Sequence, residues 1–404
     1  MSRGSIFDGI KVADFTWAAA GPIITKQLAD NGATVIKIES TRHPDSVRLG
    51  GPFKDGVRGI NRSGFFADFN SSKLGIAIDM NHARAAEVVL PLVKWADVVA
   101  DSFRPRVMDK WGFGYRRLSE VNPSVIMVSS SLYGDTGPWS THPGFGAQGQ
   151  AIAGFHGLTG WPDRPPAVPK GAYTDSVSPR FGMTALAAAL IHRERTGQGQ
   201  HIELAQVDTG VMFLSAEIVK LQAGGGETVR AGNADPRALL HAVLPCQGED
   251  RWIAVEVWTH EQWHACMDML ASRGKPSAVL ADPAAARHAP EAVERAVGEL
   301  TAHWDAFELM GALRRAGVPA GACLRGGDLL ADPVLRERGH FWPLAHPEMG
   351  TLDYNGPAYR FEHTPSHLTR AAPCLGADTD DVLGQVLGFA SAKIGELRDC
   401  GVLA

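Results

Sequence analysis

The chain has 404 residues, 45% of them apolar and 21% charged, a composition typical of a soluble globular enzyme and unlike that of a disordered or fibrous protein. Its formal net charge of -5 lacks the basic excess that general nucleic-acid binding requires. No apolar run approaches the roughly 18 residues of a membrane span. The N-terminal MSRGSIFDG has no signal-peptide pattern, so we expect a cytoplasmic protein that binds neither membranes nor nucleic acid.

The cysteine pattern indicates reduced thiols. The cysteines are odd in number, are spread over the second half of the chain, and form no C-x-x-C pair. Neither a disulfide framework nor a cysteine-rich zinc site is therefore expected. We expect buried thiols at Cys246, Cys266, Cys323, Cys374 and Cys400.

Short apolar segments alternate with helical segments along the first half of the chain. This alternation predicts an α/β fold in which helices cover both faces of a parallel sheet. The predicted strands are 10–17, 33–40, 74–80, 97–102, 124–131 and 201–206.

Two later changes in composition indicate functional loops and a domain boundary. A Gly/Pro-rich tract over residues 133–171 is typical of a functional loop system. The composition shifts again at residues 222–239, after which a strand and two helices indicate a smaller α+β unit. We therefore assign residues 1–222 to a large ligand-binding domain, 223–331 to a small domain and 332–404 to a C-terminal segment.

The turn after the first predicted strand reads AAAGP. It lacks the G-x-G-x-x-G pattern of dinucleotide sites, and the chain has no Walker loop there. Ala18, Ala19 and Ala20 would nevertheless let an anionic ligand approach a helix N-terminus, where backbone amides favour negative charge. The same alanines are equally consistent with close packing of strand and helix, so these residues alone leave both interpretations open.

The segment HEQWH, residues 260–264, matches the H-E-x-x-H pattern of zinc proteases. Thr259, however, is a good N-cap, which would put His260 in the exposed first turn of a helix whose apolar face is Trp263, Met267 and Leu270. No third ligand is evident from the spacing. We interpret the segment as a solvated helix start and expect no metal site.

A basic cluster follows the fourth predicted strand. Arg104, Arg106 and Lys110 come just after this strand, at the edge where open α/β sheets bind ligands. A solvated basic helix start is the plain alternative. The position after a strand favours phosphate contacts.

The segment GAYTDSVSPRFG places Asp175 close to a predicted helix start. Ser178 and Pro179 form a good N-cap and first-residue pair, so we predict that the helix begins near Pro179 and ends at Gly197. Asp175 would then lie just outside the helix, ionised and free of a capping role. An ionised carboxylate can attack an activated acyl group, and it can equally be a turn residue.

Six segments spread over the chain have a specific order and spacing. They are FDGIKVADFTWAAAGP, FNSSKLGIAIDM, ADVVADSFRPRVMDKWGFGY, NPSVIMVSSSLYGDTGP, YTDSVSPRFGMTALAAALIHRERTGQGQHIELAQVD and AGVPAGACLRGGDLLADPVLRERGHF. In these segments the chain resembles, nearly end to end, the class III CoA-transferases, the family that includes formyl-CoA transferase, carnitine CoA-transferase and α-methylacyl-CoA racemase.

This resemblance implies a large Rossmann-like domain built from both chain ends, with a small domain between them. It also implies two subunits interlocked like links of a chain, either a homodimer or a heteromer with a related subunit. CoA would lie along the large domain. Matching positions imply CoA contacts at Trp17, Ala18, Ala19, Ala20, Asn70, Ser72, Lys73, Phe103, Arg104, Met108 and Lys110.

Within YTDS, Asp175 falls on the family's catalytic aspartate. The implied chemistry is attack of Asp175 on an acyl-CoA thioester to give a mixed anhydride, followed by formation of an aspartyl-CoA thioester and transfer of CoA to an acceptor acid. Covalent catalysis of this kind conserves the thioester's free energy, so neither ATP, a metal nor a bound cofactor is needed.

Two departures from the family pattern bear on specificity. Family racemases have a histidine in a Gly-His-Asp element, whereas this chain has Phe145 there, which favours transfer over racemisation. After GNA, residues 232–234, the chain also lacks the glycine loop of formyl-CoA transferase. We expect an acid larger and less polar than formate or oxalate, such as a dicarboxylic or aromatic acid. A 2-methylacyl-CoA racemase and a CoA-binding protein without turnover are the alternatives.

Overall fold

The computed structural model describes residues 4–404, which form two compact units. The first contains the chain up to residue 155 together with 169–227 and 334–404, and the second contains 156–168 and 228–333. The segment 156–168, which we assigned to the large domain, thus groups with the second unit. The reason is local, because Gly160 and Trp161 accept hydrogen bonds from the backbone of Gly232 and the side chain of Arg230.

The first unit is built on a six-stranded sheet in which all neighbouring strands are parallel. Its order is β3-β2-β1-β4-β5-β6, so the strand order reverses between β1 and β4. The predicted α/β fold with a parallel sheet is confirmed. The strands are β1 Lys11–Asp14, β2 Thr34–Glu39, β3 Leu74–Ala77, β4 Val98–Asp101, β5 Ile126–Ser131 and β6 His201–Ala205.

The continuous apolar character of these strands comes from burial on both sides of the sheet. Alternate residues of a strand point to opposite faces. Ala13 and Val99 belong to one buried cluster, whereas their neighbours Val12 and Val98 belong to the cluster on the other face. Helices therefore cover both faces, and the carboxyl ends of the strands remain free to carry a site.

The second unit has its own core around an antiparallel sheet of three strands, β7 Leu240–Pro245, β8 Trp252–Val257 and β9 Ala320–Ala322. A hairpin of β10 Phe341–His346 and β11 Gly350–Asn355 belongs to the first unit.

The helices, in chain order from α1 to α18, are Ala20–Ala29, Gly64–Phe69, Ala86–Trp95, Val107–Lys110, Tyr115–Val121, Gly146–Ile152, Phe155–Leu158, Tyr173–Thr196, Gln206–Phe213, Ser215–Gln222, His260–Ala271, Ala285–His288, Pro290–Thr301, Ala306–Arg315, Gly326–Ala331, Pro333–Glu337, Thr379–Asp381 and Ser391–Asp399.

Helix α8 begins earlier than the sequence predicted. It starts at Tyr173, so Pro179 lies inside the helix and Asp175 lies in its first turn. The prediction of a start near Pro179 was wrong because proline disfavours helix at the preceding residue only as a tendency, which packing here overrides. Pro179 has no N–H to donate to the carbonyl of Asp175, four residues earlier. The predicted end of the helix at Gly197 is confirmed by its left-handed φ of 73°.

The thiols are less uniformly buried than expected. Cys246 and Cys266 are buried, but Cys323 and Cys400 are exposed; none of the five forms a disulfide. Cys323 directly follows β9, and Cys400 directly follows α18, so both lie at element ends, where side chains are less covered. Over residues 4–404, no helix is long and apolar enough to cross a membrane.

Candidate active site

The turn between β1 and α1 is held in an unusual backbone conformation. Ala18 has a φ of 64°, in the left-handed region that residues with a Cβ seldom adopt. Its N–H donates to Asp45 Oδ1 at 2.9 Å, and the N–H of Trp17 donates to Ser102 Oγ at 2.7 Å. Such strain persists only where surrounding contacts enforce it, and it is concentrated at functional sites.

Three aromatic rings line the space beside this turn. The ring of Phe103 lies edge-on to Trp17, with centroids 5.3 Å apart, and edge-on to Trp111 at 5.1 Å. Phe103 and Arg104 follow β4, the strand at which the sheet order reverses. Ligands bind at such points in open parallel sheets.

Asp175 faces this space from the first turn of α8. Burial raises the pKa of its carboxyl to about 6, against the effect of hydrogen bonds from the side chain of Gln206 and the backbone N–H of Gly146, which lower it. The sequence led us to expect a carboxylate held ionised by the helix end, but burial outweighs that influence. At neutral pH most of the population is still ionised, and therefore nucleophilic.

Gly146 gives the carboxylate its room. A Cβ at this position would lie 2.5 Å from Asp175 Cγ and 2.6 Å from its Oδ2, closer than carbon atoms can approach. Gly146 is the first residue of α6, so its N–H points out of the helix and is free to donate to a partner. Any larger residue would displace Asp175.

A single cavity of about 490 Å³ connects these features. It opens at the carboxyl ends of the strands, and its volume lies in the range of small-molecule sites. Seven of the residues that the family resemblance implied line it together: Trp17, Ala18, Ala19, Ala20, Phe103, Arg104 and Asp175.

Three other implied CoA contacts lie elsewhere, in a buried polar network. The Lys73 ammonium donates to Asp14 at 2.9 Å and to Asn70 at 2.8 Å, and the Ser72 hydroxyl donates to Asp30 at 2.8 Å. Asn70 and Lys73 have no exposed surface, so the structure does not bring them into the cavity.

Three further residues of the loop after β4 lie outside the cavity. Met108 is buried in the core, whereas Lys110 and Arg106 are exposed, and none of the three lines the cavity. Arg106 has a φ of 69° at the start of α4, so its backbone turns the loop rather than facing the ligand space. Of the predicted basic cluster, only Arg104 lies at the cavity.

Sequence reasoning missed three residues of the site. Gly146, whose backbone contacts Asp175, was not singled out; nor were Ser130 and Gln206, which are buried and line the cavity. Ser130 lies in β5 and Gln206 directly follows β6. Polar residues at the carboxyl ends of predicted parallel strands were the available signal.

The HEQWH segment forms a capped helix start. The Thr259 hydroxyl accepts from the N–H of Gln262, which confirms its predicted N-cap role, and Trp263, Met267 and Leu270 face the core. Within the described part of the chain, no group of three or more His, Cys, Asp or Glu side chains could hold a metal ion.

Comparison with known proteins identifies the family. The model of CoA-transferase family III matches residues 7–379. The chain belongs to this family. It is a class III CoA-transferase, which transfers CoA between an acyl-CoA and a carboxylic acid.

Named relatives of this transferase span most of its length. It is 28% identical to the succinyl-CoA–D-citramalate CoA-transferase of Chloroflexus aurantiacus, covering 97% of this chain and 96% of the relative. It is 30% identical to the succinate–glutarate CoA-transferase of Agrobacterium fabrum, covering 95% and 96%. A probable CoA-transferase of Mycobacterium tuberculosis is 30% identical, but the match takes in 96% of this chain and only 49% of that longer protein.

A solved structure has the same fold. A CaiB/BaiF family protein from Brucella suis superposes with a TM-score of 0.85 at 29% identity, covering 95% of this chain and all of the other. The mixed α/β architecture with its six-stranded parallel sheet is therefore that of the family.

Proposed function

We propose that this CoA-transferase works through covalent intermediates on Asp175. The observation that carries the proposal is a carboxylate with a pKa near 6 in a cavity that also holds the β1–α1 turn. Partial burial reduces the hydration of the carboxylate, and a weakly solvated anion is a stronger nucleophile toward a thioester. No cation pairs with Asp175 in the described structure that would reduce this reactivity.

The reaction then has three covalent stages. An Asp175 oxygen attacks the thioester carbonyl, the C–S bond breaks, and a mixed anhydride and a CoA thiolate form. The thiolate attacks the aspartyl carbonyl, and the donor acid leaves with the electron pair of the C–O bond. An acceptor carboxylate attacks the aspartyl-CoA thioester, and the same steps in reverse release the new acyl-CoA and restore Asp175.

We propose that CoA enters along the aromatic wall and the β1–α1 turn. The rings of Phe103 and Trp17 would contact the pantetheine through their edges and faces. The guanidinium of Arg104, which also lines the cavity, would bind a CoA phosphate. The N-terminus of α1 starts at Ala20 and adds a positive dipole end there. Lys110 is exposed on the same loop and is available to a phosphate outside the cavity.

For the acid partners we propose a dicarboxylic or aromatic acid. The names of two relatives include D-citramalate and glutarate, which are dicarboxylates. A cavity of about 490 Å³, with Leu132 and Phe145 among its lining residues, accommodates an acyl group larger than formate. His142, in the same lining, would donate a hydrogen bond to a distal carboxylate.

His142 also favours a second candidate function, racemisation of a 2-methylacyl-CoA. Proton exchange at the carbon next to the thioester needs two proton carriers, and His142 and Asp175 line one cavity. Phe145, at the family racemases' histidine position, argues against it. Incorporation of deuterium from heavy water into a 2-methylacyl-CoA would support this candidate over transfer.

We propose an interlocked homodimer as the assembly. Apolar side chains of α9 and α10 are exposed in the single chain, and a patch of this kind indicates a protein interface. They are Met212, Phe213, Ile218, Val219 and Leu221. Light scattering after size exclusion tests the dimer, and a monomer that transfers CoA would contradict it. A chain inactive until a related subunit is added would instead support the heteromer.

The experiment that tests Asp175 compares Asp175→Ala with Asp268→Ala, a matched change of an exposed aspartate in the second unit. CoA exchange is measured between succinyl-CoA and a panel of succinate, glutarate, citramalate, oxalate and benzoate. We expect Asp175→Ala to lose at least a thousandfold in kcat and Asp268→Ala to remain at the wild-type level.

Trapping distinguishes a covalent role from a binding role. Hydroxylamine added with the acyl-CoA should convert Asp175 of the wild type to a hydroxamate, detected by mass spectrometry of the peptide that contains it. Full exchange activity in Asp175→Ala, or no modification in an active wild type, would overturn the proposal.

A further inference from the structure

Gln206 occupies a fixed position beside the proposed nucleophile. It is the first residue of α9, directly after the carboxyl end of β6, and only 8% of its surface is exposed. The next residue, Val207, donates its N–H to the carbonyl of Leu132 at 3.1 Å, which ties the helix start to the residue that directly follows β5. Gln206 and Asp175 line the same cavity.

The side-chain amide of Gln206 interacts with Asp175 as a donor. An ionised carboxylate only accepts hydrogen bonds, so it is the NH₂ group that faces it. The second donor is the backbone N–H of Gly146, whose helix, α6, packs against both α8 and α9. Asp175 therefore lies between one side-chain donor and one backbone donor.

The other half of the Gln206 amide is left without a partner. Its Oε1 is buried and accepts no hydrogen bond from any residue that the structure describes. Burying an unpaired oxygen costs folding free energy, and a methionine of similar volume would avoid that cost. Packing therefore does not account for a glutamine at this position, whereas its donor half does.

We propose that Gln206 is a catalytic residue of the transfer reaction: with the N–H of Gly146 it forms the oxyanion hole for the aspartyl carbonyl. This inference rests on the covalent role of Asp175 proposed above. Before the reaction, the two donors hold the carboxylate so that one of its oxygens is presented to the thioester. Afterwards, the oxygen that did not attack is the aspartyl carbonyl oxygen, and it stays beside the same donors.

The donors act most strongly when charge develops. When the CoA thiolate attacks the aspartyl carbon, a C–S bond forms and the carbonyl electrons move onto the oxygen, which becomes an oxyanion. The C–O bond to the donor acyl group then breaks, and its electron pair leaves with the donor carboxylate. Preorganised donors at such an oxygen are worth about 100- to 1,000-fold in kcat each.

The test compares Gln206→Met with Gln150→Met. Gln150 is also a buried glutamine; it lies in α6, and its Oε1 accepts from the N–H of Tyr173, the first residue of α8, at 2.8 Å, but no described contact links it to the carboxylate. Gln206→Met should lower kcat about 100-fold while leaving the melting temperature unchanged or higher. The pH below which kcat/KM declines should also be higher than in the wild type, for which we expect a midpoint of about 6, because a donor that favours the ionised carboxylate is lost. Gln150→Met should leave that midpoint in place.

Gln206→Glu serves as a second variant, since it keeps the shape but replaces the donor by an acid. In this variant the pH below which kcat/KM declines should be higher still, because a second carboxylate beside Asp175 disfavours its ionised form. Suppose that hydroxylamine modifies Asp175 of the wild type, but both Gln206 variants keep the wild-type kcat and the wild-type pH dependence of kcat/KM. Gln206 then has no catalytic role. If the wild type turns over without any modification at Asp175, the covalent mechanism itself is wrong, and the role of Gln206 falls with it.

Discussion

Two aspartates of the first unit, the buried Asp14 and the partly buried Asp175, differ in how completely their charge is compensated. Asp14, at the end of β1, has no exposed surface. Burial alone would raise its pKa, but the ammonium groups of Lys73 and Lys37 and the hydroxyls of Thr16 and Thr25 outweigh burial and hold the pKa below the usual value. Asp175 has two donors and no cation, and its pKa is raised to about 6.

This difference separates a structural carboxylate, Asp14, from the proposed nucleophile, Asp175. Asp14 and its partners belong to a network in which Lys37 also contacts Asp45, the residue that accepts from the Ala18 N–H. The paired charges of this network therefore hold the strained β1–α1 turn in shape, whereas the carboxylate of Asp175 has no pairing cation. An active site of this kind needs a rigid binding surface as well as an unpaired carboxylate, because a nucleophile is useful only opposite such a surface.

The largest expected effect comes from breaking the compensated region. Lys73→Met would leave Asp14 as a buried charge without its main partner, and removing one member of a buried pair costs about 3–5 kcal/mol. We expect that loss in the free energy of unfolding, measured by urea titration. Lys110→Met, a change of an exposed lysine, should stay within about 0.5 kcal/mol of the wild type. A Lys73→Met chain as stable as that control would mean that the network contributes nothing to the fold.

The second expected effect concerns the close fit around Asp175. In Gly146→Ala the new Cβ would lie 2.5 Å from Asp175 Cγ, so the carboxylate must move. A displacement of about 1 Å at a reacting group can cost about 100-fold in rate. We expect kcat/KM for CoA exchange to fall by about 10- to 100-fold. Gly395→Ala, where a Cβ meets nothing within 4 Å, is the matched control and should keep full activity. Equal activities of the two variants would show that the close contact is not needed.

The third effect is a gain in stability with a defined pH dependence. Because the folded pKa of Asp175 lies above its unfolded value of 3.8, its contribution to stability is complete below pH 4 and is lost as the pH rises through about 6. Removing the charge with Asp175→Asn should therefore stabilise the inactive chain at pH 7, by about 1–2 kcal/mol. Urea titrations at several pH values should find this gain shrinking toward pH 4. A variant that is less stable at pH 7, or equally stabilised at both pH values, would contradict the assignment of an uncompensated charge.

Local patterns predicted much of the fold. Each of the strands from β1 to β6 lies within a predicted apolar segment, because burial on both faces leaves a short apolar run in the sequence. Thr259 and Gly197 were recognised as helix ends, since their roles depend on neighbours within one turn. The family resemblance supplied Asp175 and the β1–α1 turn as site positions.

The start of α8 and the surroundings of Asp175 could not be predicted in this way. Ser178 and Pro179 have the local preferences of a helix start, yet packing of α6 and α9 against α8 extends the helix to Tyr173. Lys73 is polar and lies close to a strand, like a ligand contact, but only the tertiary structure shows that its partner is Asp14 rather than a ligand.

Local periodicity in the amino-acid sequence was enough to predict the order of the elements and the parallel α/β sheet, and the family resemblance supplied Asp175 as the residue for the proposed chemistry. The tertiary structure alone decided the electrostatic character of that residue. The pKa of a carboxyl depends on which donors, cations and solvent surround it, and for Asp175 those are Gln206, Gly146 and the cavity wall, which come from distant parts of the chain.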